Sequence, residues 1–347
     1  AEDGIRDYKV TGVQTCALPI STEAATNNFA TSEALSDGTY TFYVQESDDA
    51  GNWSTSGSVL VTVDTFVPAP VSLAVDSPTS DNTPVFTWDS GGFDGIGTFR
   101  YELVPPGDGD LNGGSETVAG TSFETSTALP DGVYTLHIQE QDALGNWSSS
   151  STISVTVDTE APGSPSVTGI TPTSIDRPTW SWTSGGGGLG DYRFNFDEDS
   201  FVSEFTSTTA LSFTTSTTLA EGTYTLYVQE SDLAGNWSTS GSFSIAVDKT
   251  PPNTPSVFAS TSRSNPMVTW GWSSGGLGAG TFRFKLDNDD LSTGATVSSS
   301  SSYTETLALS DGEHTLFVQE VDGVGNWSAS GSFTLTVDTT APPMPMV

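Results

Sequence analysis

The residues best placed for chemistry are carboxylates held at fixed offsets from a recurring tryptophan. Trp53, Trp147, Trp237 and Trp327 each sit in a Gly-Asn-Trp-Ser string, at spacings of 94, 90 and 90 residues. Just ahead of the last three lie Glu140 and Asp142, Glu230 and Asp232, and Glu320 and Asp322, while Asp64, Asp158 and Asp248 close the units before them. In a seven-strand antiparallel sandwich, the loop carrying these acids returns to the pole where the previous unit ends. That logic sets Glu140 and Asp142 beside Asp64, Glu230 and Asp232 beside Asp158, and Glu320 and Asp322 beside Asp248. Three carboxylates on a short linker repel one another unless a cation lies among them. Hard oxygen ligands in that number suit Ca²⁺, with carbonyls and water completing about six to eight positions. Calcium at the junctions is one expectation, and a solvated acidic face is the other.

Other candidate chemistry is thinner. Asp108-Gly-Asp110-Leu-Asn112-Gly113 imitates the opening of a calcium loop, but Ala119 stands where the bidentate glutamate belongs. His137 and His314 fall in different units at unequal repeat positions, and no G-x-S-x-G or H-E-x-x-H string occurs. The chain is therefore not expected to be an enzyme. With 43 acidic against 9 basic side chains and a net charge of −34, it lacks the basic surface that phosphate backbones require. Nucleic acid is excluded as the natural partner. No apolar run approaches the ~18 residues of a membrane span. Each Asn-Trp-Ser also reads as a glycosylation sequon, for which a turn role of Gly-Asn is the simpler account.

The elements that must position these residues are short strands of period-2 alternation bounded by Gly, Pro, Ser and Asp. Val268, Trp270 and Trp272 share one face, as do Phe282, Phe284 and Leu286, then Leu316 and Val318, then Phe333, Leu335 and Val337. Such faces make a two-layer core, and they favour burial of Trp88, Trp182 and Trp272 over display of these rings to a sugar. The Gly-Asn-Trp tryptophans are expected to cap one pole of that core. Arg100, Arg193 and Arg283 recur at one strand position and are expected to lie over His137, Tyr227 and Phe317.

A period near 90 residues suits whole β-sandwich domains in a row. Cutting at the Pro-rich linkers gives complete units at 67–158, 159–248 and 249–338, the last half of a unit at 21–66, and the start of a linker at 339–347. The half unit is expected to hold three strands and to expose an apolar face. The array reads as a window from a longer one. Residues 1–20 are read as foreign, a natural N-terminal strand being the alternative: a common sequencing-library adapter translates in one frame to VTGVQTCALPI, the string Val10–Ile20, and its flank gives Ala1–Asp7. On that reading Cys16 carries no redox information, and the natural part keeps a charge of 7 − 40 = −33.

Leu219-Ala-Glu-Gly-Thr-Tyr224, with counterparts at Tyr40 and Tyr134, resembles the tyrosine corner of immunoglobulin-like sandwiches. The last complete unit departs from this pattern with His314. The units resemble bacterial Ig-like repeats with a fibronectin type III flavour. Their D-x-x-G-N loops and V-D-T-x-A-P linkers are similar to those of stalk repeats in large bacterial adhesins. The resemblance implies an all-β chain of tandem Ig-like sandwiches, about seven strands each, arranged as beads on a string. It also implies a non-catalytic spacer, secreted or on the bacterial cell surface, with calcium at its junctions. The partners implied are the neighbouring repeats, with a cell-surface or polysaccharide ligand taken through domains outside this segment. The alternative is a set of accessory or carbohydrate-binding modules of a large secreted hydrolase.

Overall fold

The computed structural model describes residues 8–11, 21–24, 28–31, 33–105, 116–260 and 266–344. Every regular element among them is a β-strand. The chain divides into two compact units, Ala1–Thr159 and Glu160–Val347.

Within Glu160–Val347, the strands Ser166–Gly169, Thr179–Thr183 and Ser212–Thr214 pair into a three-stranded sheet. Thr206–Thr208, Asp191–Phe196, Gly222–Ser231 and Gly241–Val247 pair, in that order, into a four-stranded one. The β-branched and aromatic residues of Thr179–Thr183 alternate cleanly, so Trp180 and Trp182 face inward while their neighbours face out. Trp180, Trp182, Tyr192, Phe194, Leu226, Val228 and Ile245 then form one core between the layers. Fully burying a large aromatic side chain removes roughly 150–250 Å² from water, worth about 4–6 kcal/mol before entropy is charged. Residues 249–338 repeat the arrangement, with Ser256–Ala259, Thr269–Ser273 and Ser302–Thr304 facing Thr296–Ser298, Thr281–Leu286, Gly312–Val321 and Gly331–Val337. Their core holds the predicted Val268, Trp270, Trp272, Phe282, Phe284, Leu316, Val318, Leu335 and Val337.

Residues 67–158, in the other unit, follow the same plan with seven strands from Ser72–Ala74 to Ser151–Val157. Trp88, Trp182 and Trp272 are 3%, 2% and 2% exposed, so they pack the cores and are not open to a glycan. The two sheets of a repeat are tied at one edge. The Thr79 N–H donates to the Thr156 carbonyl and the Asp158 N–H to the Thr79 carbonyl, and Thr173 does the same between Ala246 and Asp248.

The half unit differs from expectation. Tyr8–Thr11 forms a strand between Ser21–Ala24 and Gly38–Glu46, which pairs in turn with Gly57–Val63. The sheet therefore has four strands and takes in part of the segment read as foreign. An edge such as Gly38–Glu46 presents a row of unpaired N–H and carbonyl groups that any extended segment within reach can satisfy. No second sheet covers this one among the described residues. Val61 is accordingly 43% exposed, whereas its counterparts Val155 and Ile245 are 0% exposed.

Candidate functional site

Glu140, Glu230 and Glu320 do not reach the linkers. Each is 0–1% exposed, because the inward side of its strand sends the side chain under the loop that follows the tryptophan strand. The Ser90 hydroxyl donates to both Glu140 oxygens at 2.8 and 2.9 Å, and the N–H groups of Gly91 and Gly97 add bonds of 3.0 and 3.2 Å. Ser184 with Gly190 holds Glu230, and Ser274 with Gly280 holds Glu320, in the same way. The Ser-Gly-Gly strings of the sequence are thus wrapped around a carboxylate. A side chain at Gly278 would place its Cβ 2.1 Å from the Glu320 carboxyl carbon, so the close approach needs glycine. The serine of each Gly-Asn-Trp-Ser completes the cradle from behind. Ser148 Oγ accepts the Glu140 N–H, and Ser238 and Ser328 do the same for Glu230 and Glu320.

The aspartates serve the junction in a different manner. Asp142 Oδ1 accepts the N–H groups of Leu144 and Asn146 at 2.9 and 2.8 Å, and its Oδ2 accepts the Asn146 side-chain amide at 2.9 Å. Burial opposes ionisation of Asp142, but the Asn146 side-chain and backbone bonds with those of Leu144 and Gly145 outweigh it and hold the carboxyl below its ordinary 3.8. Asn146 has a second amide hydrogen, which it donates to the Asp64 carbonyl of the preceding repeat at 3.0 Å. The other compact unit repeats this: Asn326 Nδ2 donates to Asp322 Oδ2 at 2.8 Å and to the Asp248 carbonyl at 3.0 Å. There the Ser174 hydroxyl adds a bond of 2.7 Å to the Val324 carbonyl in the same loop. Asp158 and Asp232 fall in different compact units. Asp158 is placed by Thr79, and Asp232 by Asn236, whose N–H and side-chain amide bond it at 2.9 and 3.0 Å.

A third device was missed in the sequence, although its signal was visible there. In three of the four units the acid-Gly pair ahead of the corner lies 28 residues before the threonine of the V-D-T string. Asp37 Oδ1 accepts the Thr65 N–H and hydroxyl at 2.9 Å each. Asp131 does so for Thr159 and Asp311 for Thr339. The linkers after Asp64, Asp158 and Asp338 are thus pinned as they leave their repeats, and after Asp248, where Lys249 replaces the threonine, the Thr250 hydroxyl donates to Glu221 Oε2 at 2.6 Å.

The junctions at Asp64 and Asp248 bring an asparagine amide to a carbonyl, not three carboxylates to a common point. No group of three or more His, Cys, Asp or Glu fit to hold a metal occurs among the described residues. The oxygens of Asp142 and Asp322 accept bonds from donors of their own loops. The Asp108–Gly113 loop lies outside the described residues.

The arginines also find partners other than those expected. Arg100, Arg193 and Arg283 stack over the Gly-Asn-Trp rings Trp147, Trp237 and Trp327 at 4.5, 4.2 and 4.2 Å. Their Nε atoms donate to Gln139, Gln229 and Gln319, which face them across the strand pair. His137, Tyr227 and Phe317 lie two positions away along that strand, and the loop tryptophan folds back to cover the arginine instead of capping the core. The tyrosine corner is present: Tyr40, Tyr134 and Tyr224 donate to the carbonyls of Ser36, Pro130 and Ala220. His314 reaches the Ser310 carbonyl at 3.0 Å in their place.

A seven-strand sandwich closed by a tyrosine corner defines the immunoglobulin-like class. Residues 8–65, 72–159 and 191–249 match the bacterial Ig-like domain family, and the chain belongs to it. The chain is also similar to Exoglucanase B of Cellulomonas fimi, 30% identical over 246 residues that cover 65% of this chain and 22% of that one. It is similar to Chitinase A1 of Niallia circulans, 28% identical over 191 residues that cover 52% of this chain and 26% of that one. The chain thus spans about a quarter of the length of these curated relatives. The crystal structure of the chicken CNTN1 FN1-FN3 domains aligns over 78% of the chain and 99% of its own length, at 13% identity and a TM-score of 0.31, too low to carry an argument. No helix among the described residues is long and apolar enough to cross a membrane.

Proposed function

We propose that the chain is a non-catalytic spacer whose repeats are tied to one another by asparagine-to-carbonyl bonds, in a protein secreted or displayed on the bacterial cell surface. The observation that carries this is the repeated latch, Asn146 to Asp64 in one compact unit and Asn326 to Asp248 in the other. A latch serves a spacer because it restrains bending at a linker that proline alone only biases. The Asp37, Asp131 and Asp311 clamps support the same reading, since they fix the direction in which their own linkers depart.

Two settings suit such a spacer, the stalk of an adhesin and the accessory region of a secreted hydrolase. The names of the relatives, an exoglucanase and a chitinase, favour the second setting. Sedimentation of the chain with insoluble cellulose and chitin separates direct glycan binding from spacing alone. A pure spacer stays in the supernatant, and retention by either polymer would overturn the reading as a passive spacer. Calcium is tested in the same preparation by calorimetry at millimolar concentration. Heat of binding lost in Asp142→Asn and Asp322→Asn would restore the calcium junction, and its absence leaves the asparagine latch as the tie.

A further inference from the structure

Three departures from the repeat pattern converge in residues 249–338. Where residues 159–248 carry Phe213, Thr215 and Tyr224, this repeat carries Tyr303, Glu305 and His314. His314 Nδ1 lies 2.6 Å from Asp287 Oδ2, and its Nε2 lies 3.0 Å from the Ser310 carbonyl. An ionised carboxylate and a carbonyl both accept only, and a neutral imidazole has a single N–H. Only the doubly protonated ring satisfies both contacts. Asp287 is itself held in place, its Oδ1 accepting the Thr315 N–H at 2.7 Å and its own N–H donating to the Thr315 carbonyl.

Glu305 adds a second reason for the proton to stay. It is 8% exposed, one oxygen accepts the Tyr303 hydroxyl at 3.1 Å, and the other, Oε1, is buried with no hydrogen-bond partner among the described residues. A carboxylate with one buried oxygen left unanswered favours a positive charge nearby. The charged groups acting on the ring are therefore Asp287, from the turn after Thr281–Leu286, and Glu305, from the segment after Ser302–Thr304. The strand on the other side, Gly331–Val337, sets uncharged Leu335 opposite His314, and Glu313 alternates to the other face of its own strand.

We propose that Asp287, Glu305 and His314 form a proton-operated clasp, which ties the strand Gly312–Val321 to the Asp287 turn and the Ser310 corner while His314 is charged and loosens this one repeat when it is not. The hydrogen bond to Asp287 holds the imidazole above its ordinary 6.5 against the opposing effect of burial, helped by the Ser310 carbonyl and by the charges of Asp287 and Glu305. A group whose folded pKa is raised stabilises fully below its unfolded value and loses that contribution as pH rises through the folded one. The clasp therefore opens as pH rises through a midpoint above the ordinary histidine value. The corners of the other repeats carry a tyrosine in place of the imidazole.

The test uses the full chain. Histidine ring resonances are titrated by NMR, and amide exchange protection is compared for residues 312–318 and 222–228 between about pH 5 and about pH 8. The expected result is a His314 midpoint above the ordinary histidine value, and a severalfold loss of protection in 312–318 that 222–228 does not share. His314→Tyr, which restores the corner of the other repeats, should abolish that difference, and Glu305→Thr should lower the midpoint. A midpoint at or below the ordinary value, an equal pH response in both repeats, or a response that survives His314→Tyr would overturn the clasp. Should His314→Tyr fold poorly, the midpoint shift in Glu305→Thr decides alone.

Discussion

A carboxylate without solvent must be answered by donors from the protein, and Glu230 finds them in the Ser184 hydroxyl and the Gly190 N–H. Removing it leaves those donors buried and the loop unsupported. Glu230→Ala should destabilise residues 159–248 by about 2–4 kcal/mol, read as a lower urea midpoint by tryptophan fluorescence. A solvated surface acid would cost less than about 0.5 kcal/mol on the same substitution. Arg283 is milder: its guanidinium loses one ring face and one Gln319 bond, so Arg283→Ala should cost about 1–2 kcal/mol in the same assay. Neither partner was legible in the sequence. The spacing of Glu140, Glu230 and Glu320 from the tryptophans is plain, but whether a strand acid faces a linker or a loop of its own sandwich depends on how that loop closes. The same holds for the arginines, because alternation gives the face of a residue but not which loop folds back over that face.

At the scale of elements, much more could be read from the residues. Val268, Trp270 and Trp272 alternate with polar neighbours, and a one-residue slip would expose all three, so sequence alone sets both strand and face. Those residues are 2%, 0% and 2% exposed. Loops were harder. The glycines after Ser274 mark no more than a strand boundary in the sequence, yet their role is to let backbone approach the Glu320 carboxyl. Gly278→Ala should therefore destabilise residues 249–338 by about 1–3 kcal/mol, measured by thermal unfolding. The exposed Gly323, which has nothing within 4 Å of a built Cβ, should tolerate alanine with no comparable loss. The edge at Gly38–Glu46 shows another limit, since backbone groups pair with what is near whatever its origin, and the strand Tyr8–Thr11 could not have been read from apolar alternation.

At the scale of the molecule, 43 acids against 9 bases bring like charges towards the junctions at Asp64 and Asp248, and the structure answers this there by neutral ties. An asparagine amide shared between its own loop aspartate and a carbonyl of the preceding repeat binds two domains without adding charge. Asn326→Ala should leave the core of residues 249–338 intact, because no buried apolar contact is lost, yet it removes both the tie to Asp248 and the donor that orients Asp322. NMR relaxation should then show residues 249–338 tumbling faster and more independently of 159–248, while the stability of the repeat in urea unfolding changes by less than about 1 kcal/mol. The same loosening should appear in the wild-type chain in acid. Burial opposes ionisation of Asp322, but bonds from the Asn326 side chain and N–H, with those of Val324 and Gly325, hold its carboxyl below the ordinary 3.8. A depressed carboxylate stabilises above its unfolded value and loses that contribution as pH falls through the folded one. Faster relaxation should therefore set in only below about pH 4, and adding calcium at neutral pH should leave it unchanged. Slower, more coupled tumbling on adding calcium would mean that the acids of the junction bind an ion after all, and the asparagine would then be an accessory to it.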